Sequence, residues 1–206
     1  PSDIVDWPYL DDEAWRFTEG YLHYQASYLL GIDNFLDFSH LPYVHEHTIG
    51  TDAFAQNRPA TERTDYGMHI RNIATNDPPS AHFKKFGGFR GLVDRWNIYN
   101  FHTRGNLLLM DSGAAPVGEG GHEGERKNAC EFRHLSAMTP ETETTSHYHF
   151  GHARNFGLDV DGLDQGVHDT IVNAFEEDRD IIDAQQRIIS GGGTAPMLPI
   201  AADAAL

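Results

Sequence analysis

Two histidines five residues apart are the strongest candidates for chemistry in this sequence. His40 and His45 lie in the run NFLDFSHLPYVH, which covers residues 34–45, and Asn34 and Asp37 precede them in that run. Imidazole is a common metal ligand in proteins. A ligating histidine also needs an acceptor for its second ring nitrogen, which a carboxylate or an amide supplies. The run therefore favours a metal site.

The local backbone decides whether the two rings can converge. Five residues turn an ideal helix by about 500°, so the two histidines would not share one helical face. Pro42 lies between them and lacks an amide hydrogen, which predicts that the helix ends or kinks there. We expect His40 on the last turn of a helix over residues 26–38 and His45 on the bend after it. That arrangement lets the two rings meet.

A third metal ligand has to come from elsewhere in the chain. The acidic run FEEDRD at residues 175–180 lies on the longest helical pattern, residues 161–190. A solvated acidic face is the plain interpretation of such a run. By its spacing, however, Asp178 shares the apolar stripe of this helix, whereas Glu176 and Glu177 point away. A carboxylate on a buried face requires a cation, and two histidines with one carboxylate form the facial triad of non-haem Fe(II) oxygenases.

Composition excludes several classes of protein. The chain has 206 residues, 39% of them hydrophobic, which suits one domain with a real core. Its formal net charge of −16 would repel a nucleic-acid backbone. No apolar run approaches the roughly 20 residues that a membrane span needs, and the beginning PSDIVDWPYL is not a signal peptide. The one cysteine, Cys130, cannot form a cysteine-based zinc or iron–sulfur site within this chain. We expect a cytoplasmic protein without nucleic-acid or membrane partners.

The hydrophobic pattern predicts strands between two helical segments. Residues 15–24 suit a strand or a helix start, residues 50–65 and 76–91 suit loops, and strand patterns cover residues 66–73, 93–101, 107–114, 129–138 and 144–154. In the last of these, His147 and His149 share one face and Tyr148 and Phe150 the other. This order predicts an α+β fold in which a curved antiparallel sheet packs against a long C-terminal helix.

The chain resembles a known family at several places. The run DNFLDFSHLPYVH at residues 33–45 resembles the iron-binding motif of Rieske non-haem iron oxygenases, which reads N-x-x-D-x-x-H-x-x-x-x-H. Further matches follow in the right order: DWPYLDD at 6–12, VDRW at 93–96, TPETETTSHYHFGHARNFG at 139–157 and EEDRDIIDAQQ at 176–186. They are most similar to the branch of the family that holds dicamba monooxygenase and vanillate O-demethylase.

The resemblance implies a fold and a set of metal ligands. The fold would be a helix-grip (Bet v 1-like) domain whose N-terminal helix carries the histidine ligands. His40, His45 and Asp178 match the Fe(II) ligands of the family. The Rieske domain of the family, with its C-x-H and C-x-x-H motifs, is missing from this sequence. Residues 1–12 are therefore interpreted as a linker from that domain and residues 13–206 as the catalytic domain.

The resemblance also implies roles for three further residues. Asp37 matches the carboxylate that connects the iron to the Rieske cluster of a neighbouring subunit and carries electrons and protons. Asn34 matches the amide near the iron. His147 matches a histidine that contacts the substrate, although a core residue at the cavity wall is an equal alternative.

The activity implied by the resemblance is O2-dependent oxidation of an aromatic compound. In this branch it would be O-demethylation of a methoxylated aromatic acid to a phenol and formaldehyde, with ring hydroxylation or cis-dihydroxylation as the alternative. Fe(II), a [2Fe-2S] cluster in the missing domain, and NAD(P)H through a ferredoxin or a separate reductase would take part, in a homotrimer.

Three alternatives remain open from the sequence. A zinc hydrolase could use the same ligands, although HExxH is absent. A helix-grip cavity could also bind a hydrophobic ligand without any metal. His47, in the run HEH with Glu46, is a rival metal ligand.

Overall fold

One antiparallel sheet carries the fold. The structure, a computed structural model, describes residues 5–45, 57–119, 121–126 and 128–193. Within these residues seven strands pair in the order β1-β7-β6-β5-β4-β3-β2. The strands are β1 (Arg16–Tyr24), β2 (Ala60–Thr64), β3 (Gly67–Asp77), β4 (Val93–His102), β5 (Leu107–Pro116), β6 (Cys130–Pro140) and β7 (Ser146–Arg154).

Four α-helices accompany the sheet in the described residues. They are α1 (Tyr28–Leu36), α2 (Leu41–Val44), α3 (Ala81–Phe86) and α4 (Leu163–Ser190), and short 3-10 turns cover Pro8–Leu10 and Gly121–Glu123. None of the described helices is long and apolar enough to cross a membrane. The predicted end of the long helix is confirmed, because α4 stops at Ser190 and Gly192 adopts a positive φ of 83°.

The long helix α4 packs across the inward face of the sheet. It contacts β1 and α1, and the Phe175 ring lies at edge contact with Tyr148 and Phe150 of β7, at 5.1 and 5.0 Å between centroids. Val167 and Ile182 of α4 are buried in the same core. This arrangement confirms the predicted α+β fold, in which a long C-terminal helix is held by an antiparallel sheet.

Strand β2 and helix α3 were not predicted. Ala60–Thr64 forms β2 at the edge of the sheet, where its residues are nearly all exposed and so lack the apolar alternation that marks a strand. Ala81–Phe86 forms α3, although the DPPS run before it and Gly87-Gly88 after it indicated a loop. The hydroxyl oxygen of Ser80 accepts a hydrogen bond from the Phe83 amide and so caps α3.

The first described residues lie against the sheet. The Trp7 ring contacts Phe17 of β1 at 5.4 Å between centroids, and Tyr9 contacts Trp15 at 4.8 Å. These edge-to-face contacts are the preferred geometry for aromatic pairs. The domain boundary predicted at residue 12 stays a prediction.

Candidate metal centre and cavity

His40 and His45 flank the short helix α2. The first helix ends at Leu36, and His40 is the residue immediately before α2, while His45 is the residue immediately after it. The expectation that His40 would lie on the last turn of α1 was wrong. Pro42 occupies the first turn of a new helix. Backbone amides in that turn have no hydrogen-bond acceptor within the helix, so the helix loses no hydrogen bond there.

The structure brings the two histidines to Asp178 of α4. Nε2 of His45 lies 3.0 Å from Oδ1 of Asp178, and Nε2 of His40 lies 3.6 Å from the same oxygen. The two rings are 5.2 Å apart between centroids. Two ligand atoms that each lie about 2.1 Å from one ion are about 3 Å apart at a right angle and farther apart at wider angles. The three donors therefore fit a single ion with little movement.

The second ring nitrogen of each histidine faces a carboxylate. Nδ1 of His45 lies 2.9 Å from Oε2 of Glu177, and Nδ1 of His40 lies 3.6 Å from Oδ2 of Asp37. These carboxylates favour a proton on Nδ1 and leave each Nε2 lone pair for a metal. The expectation that Glu177 would point away was wrong, because its half-exposed side chain reaches back along α4 to His45.

Asn34 and Asp37 complete the surroundings of the three candidate ligands. The side-chain amide of Asn34 donates a hydrogen bond of 3.0 Å to Oδ1 of Asp178. Oδ1 of Asp37 accepts a hydrogen bond of 2.6 Å from the Ser39 amide. Both residues line the same cavity as the candidate ligands. The rival ligand of the sequence, His47, lies outside the described residues.

Negative charge dominates the potential at this centre. Burial lowers the pKa of His45, but its contacts with the carboxylates of Asp178 and Glu177 outweigh burial, so that its pKa is raised. Burial raises the pKa of Asp37, but the nearby His40 ring and the hydrogen bond from the Ser39 amide hold it below its ordinary value. A raised imidazole pKa and a lowered carboxyl pKa both indicate a site that stabilises positive charge.

The candidate ligands open onto a cavity between the sheet and α4. Its walls include the rings of Tyr24, Phe35, Phe83, Phe132 and Phe175. The cavity is lined by α2, which the two histidines flank, by α4, which carries Asp178, and by strands β4, β5, β6 and β7. An apolar, ring-lined cavity with a few polar groups is the common form of a small-molecule site.

A chain of hydrogen bonds crosses the cavity wall on β6 and β7. His134 and His152 lie directly opposite each other on these strands, and their Nδ1 atoms are 3.2 Å apart. Nε2 of His134 lies 2.8 Å from the hydroxyl of Ser136, which lies 2.9 Å from the hydroxyl of Tyr148. All four residues are buried and line the cavity.

The sequence did not single out these cavity histidines. His134 follows Phe132 by two residues, and His152 follows Phe150 by two residues, so each shares the inward face of its strand with an apolar ring. This two-residue spacing from an apolar ring was the sequence signal that His134 and His152 are buried. His82, also buried and also lining the cavity, lies on the unpredicted helix α3.

His147 lies on the other face of β7. The predicted alternation is confirmed, because Tyr148 and Phe150 are buried whereas His149 is exposed. The His147 ring meets the Tyr21 hydroxyl at 2.8 Å and lies 3.8 Å from Oε1 of Glu141, outside the cavity lining. His147 is therefore not placed to contact a molecule in the cavity, since successive side chains of a strand point to opposite faces.

Among the described residues, two groups of side chains have the geometry to hold a metal ion. One consists of His40, His45 and Asp178, and the other of His23, Glu141 and His147. The first is buried beside the cavity, and the second is partly exposed on the outer face of the sheet. Three ligands on one side of an ion leave positions open for small molecules, and only the first group opens them to a cavity.

A known family matches most of the chain. The sequence profile of the vanillate O-demethylase oxygenase C-terminal domain matches residues 24–205. The chain is also 48% identical over 210 residues to the iron-sulfur subunit TsaM1 of the toluene-4-sulfonate monooxygenase system of Comamonas testosteroni. This match covers 100% of the chain and 60% of the relative.

Solved structures of dicamba monooxygenase share the fold. The structure bound to 3,6-dichlorosalicylic acid matches with a TM-score of 0.88 and 29% identity, over 100% of this chain and 60% of that one. A second structure, with non-haem iron and dicamba, matches with a TM-score of 0.74 and 25% identity, over 100% and 58%. The chain thus spans about 60% of the length of the first relatives it matches.

Proposed function

Since this chain belongs to the family of vanillate O-demethylase oxygenase C-terminal domains, the catalytic domains of Rieske-type oxygenases, we propose that it oxidises a small aromatic substrate with O2. The observation that carries this proposal is the position of His40, His45 and Asp178. Their donors converge beside a buried, ring-lined cavity. A substrate in that cavity would lie next to the metal.

We assign Fe(II) to His40, His45 and Asp178. The donor set of two imidazoles and one carboxylate suits this ion, and when bound it supplies the activation of O2. Glu177 holds the His45 ring through Nδ1, and the Asn34 amide holds the Asp178 carboxylate. Asp37 lies 3.6 Å from Nδ1 of His40. These contacts fix the ligand geometry in a dry site.

The cavity residues bind and orient the substrate. The rings of Phe35, Phe132 and Phe175 present faces and edges on which a benzene ring packs, and they exclude water from the reacting carbon. Asp37 lies beside His40 at the rim of the site. In this proposal its carboxylate passes protons and provides the route by which electrons arrive.

Two reactions fit the names of the relatives. O-demethylation inserts one oxygen atom into a methoxy C–H bond, and the resulting hemiacetal breaks down to a phenol and formaldehyde. The relative at 48% identity, named for toluene-4-sulfonate, favours a second candidate, the oxidation of a methyl carbon attached directly to the ring. Either reaction consumes O2, two electrons and two protons, and releases one water.

The electrons come from outside the described residues in this proposal. The name of the relative as an iron-sulfur subunit supports a [2Fe-2S] cluster in the remaining length of such proteins. NAD(P)H would deliver electrons through a reductase, with or without a ferredoxin. A homotrimer in the cytoplasm, in which the cluster of one subunit serves the iron of the next, completes the expected assembly.

The test is iron analysis followed by product analysis. The protein is loaded with Fe(II) under argon, and a full-length form is supplied with reductase, NADH and either toluene-4-sulfonate or vanillate. About one iron per chain and an O2-dependent product, 4-sulfobenzyl alcohol or formaldehyde, would support the proposal. Activity without O2 would favour a zinc hydrolase. Ligand binding without iron, unchanged in His40→Ala, and no oxidation would favour a plain binding protein.

A further inference from the structure

Three buried histidine nitrogens of residues that line the cavity have no hydrogen-bond partner. One is Nδ1 of His40 in the metal centre. The other two are Nε2 of His152 and Nδ1 of His82, each on a side chain that is at most 5% exposed. An unpaired buried polar atom costs about 1–3 kcal/mol, so native proteins rarely keep one without a reason. His152 and His82 both line the cavity, and both rings contact Phe132. The centroid distance is 4.8 Å for His152 and 4.5 Å for His82.

The protonation state of His152 follows from its neighbours. Burial lowers the pKa of His134 to about 3, and burial together with His134 lowers the pKa of His152 well below its ordinary value. Both rings are therefore neutral near pH 7, and each carries one proton. Because their Nδ1 atoms lie 3.2 Å apart, one Nδ1 donates and the other accepts.

One direction of the hydrogen-bond chain gives every hydrogen in it an acceptor except the one on the terminal Nε2 of His152. The Tyr148 hydroxyl donates to Ser136, the Ser136 hydroxyl donates to Nε2 of His134, and Nδ1 of His134 donates to Nδ1 of His152. The proton of His152 then lies on Nε2, beside the cavity. Nε2 of His152 is a hydrogen-bond donor in this arrangement.

The opposite direction leaves two buried groups unpaired instead of one, a hydroxyl hydrogen without an acceptor and the Nε2 lone pair of His152 without a donor. If His152 donates through Nδ1, His134 must donate through Nε2 to Ser136. The hydroxyls of Ser136 and Tyr148 bond only to each other and to His134 among the described residues. One of their two hydrogens then has no acceptor, in a position where Tyr148 is 1% exposed. The first direction is therefore favoured.

Arg95 adds positive potential to the end of the cavity that carries His82. The buried guanidinium of Arg95, which forms an ion pair of 3.8 Å with Asp77, helps to lower the pKa of His82, chiefly lowered by burial, to about 3. Arg95 lines the cavity as well. A negatively charged oxygen would be attracted to this end. It would accept a hydrogen bond from Nε2 of His152, and a second one from His82 in the tautomer that carries its proton on Nδ1.

This polar end is remote from the metal centre. Helix α3, which carries His82, contacts the beginning of α4, where Nζ of Lys85 lies 3.4 Å from the Thr170 hydroxyl. Asp178 follows Thr170 by eight residues, which corresponds to about 12 Å along a helix. A benzene ring with substituents at opposite ends fits between two such sites.

We propose that His82 and His152 form a subsite for an oxyanionic group of the substrate, a sulfonate or a carboxylate, which directs the opposite end of the aromatic ring to the metal centre. The inference rests on the proposed function and adds to it the side chains that select the oxyanionic group of the substrate. The group fills the unpaired hydrogen-bonding positions of both rings. The substrate is therefore an aromatic sulfonate or carboxylate in which the carbon to be oxidised is attached to the ring opposite the oxyanionic group.

Calorimetric titration tests this subsite. Toluene-4-sulfonate and 4-methylbenzoate are titrated into the Fe(II)-loaded protein under argon and into metal-free protein, with p-xylene as the ligand that lacks the oxyanion. We expect His152→Leu and His82→Leu each to raise the Kd of an oxyanion by about tenfold to a hundredfold. The Kd of p-xylene should change less than threefold, which a merely structural defect would not allow.

His149→Leu is the matched control, because His149 is an exposed histidine on the outer face of the same strand. It should bind both oxyanions as the wild type does. Unchanged oxyanion binding in His152→Leu and in His82→Leu overturns the subsite, as does a wild type that binds neither oxyanion. Iron content is measured on the same samples, and O2-dependent oxidation of p-xylene is measured on the full-length form with reductase and NADH. The proposed function and the subsite therefore have separate readouts.

Discussion

Nε2 of His45 lies 3.0 Å from Oδ1 of Asp178, and this contact joins the end of α2 to the middle of α4. Both side chains are almost inaccessible, at 1% and 7% exposure. A cation placed there would bind the two segments at once. Because an ion that binds only the folded state stabilises it by mass action, metal binding and the packing of α2 on α4 are coupled.

Asp178→Ala should abolish iron binding, since it removes the carboxylate that both histidines face. Glu177→Gln should be milder, because Glu177 holds His45 through Nδ1 and is not among the proposed ligands. Loss of such an outer partner typically lowers metal affinity by about 10–100-fold. Metal analysis after anaerobic loading measures the first effect, and competition with a chelator measures the second.

Asp180→Asn is the control for both variants. Asp180 lies on the same helix with a side chain that is 76% exposed, and its loss should leave the iron content unchanged. Full iron occupancy in Asp178→Ala would exclude the assigned ligand set. A rise in melting temperature on adding Fe(II), present in Asp180→Asn and absent in Asp178→Ala, would link the metal to the contact with α4.

Asp37→Asn should separate iron binding from turnover. The amide keeps an oxygen for the hydrogen bond from Ser39 and keeps the shape of the side chain. It lacks the negative charge and the proton-carrying capacity that the proposed role requires, so turnover should fall by about 100-fold or more. Iron content and substrate affinity should stay close to wild type. Wild-type turnover in this variant would remove Asp37 from the proposed route for electrons and protons.

Local spacing was enough to find the three candidate ligands. His40 and His45 are close in sequence, and Asp178 is identified by the apolar stripe of its own helix. Neither inference needs knowledge of how distant segments pair. The long helix and the strands other than β2 were predicted for the same reason, because periods of two and 3.6 residues are local properties.

The polar end of the cavity depends on long-range pairing. His134 meets His152 only because the register of β6 and β7 places them opposite each other. The sequence predicted the two faces of β7 but not which of them borders the cavity, so a contact was expected for His147 and none for His152. His82 was missed because a six-residue helix after two prolines has too short a pattern to identify.

Cys130 should react slowly with thiol reagents in the folded protein. It is buried, and burial together with Glu131 raises the pKa of its thiol to about 11. Only the thiolate reacts, so alkylation by iodoacetamide at about pH 8 should be at least about 100-fold slower than for a free cysteine. Mass spectrometry of timed samples, with and without urea, measures this. Equal rates in the folded and the urea-unfolded chain would contradict the burial of Cys130.

His82→Leu should make the protein less sensitive to acid. The pKa of His82 is about 3 in the folded protein, lowered from 6.5 chiefly by burial. The unfolded chain therefore takes up a proton at this residue below about pH 6.5 that the folded protein does not take up until about pH 3. The free energy of unfolding falls as the pH falls through this window, by up to about 1.4 kcal/mol per pH unit for one such residue.

Urea unfolding at several pH values between 6.5 and 4.5 measures that slope. The slope of the free energy of unfolding against pH reports how many more protons the unfolded chain binds than the folded protein. In His82→Leu this difference should be smaller by about one proton. Phe83→Leu is the matched control, since Phe83 is the neighbouring buried residue on α3 and does not titrate. It should lower the free energy of unfolding by a similar amount at every pH. An unchanged slope in His82→Leu would mean that His82 takes up its proton equally in the folded and unfolded states, which its buried position beside Arg95 does not allow.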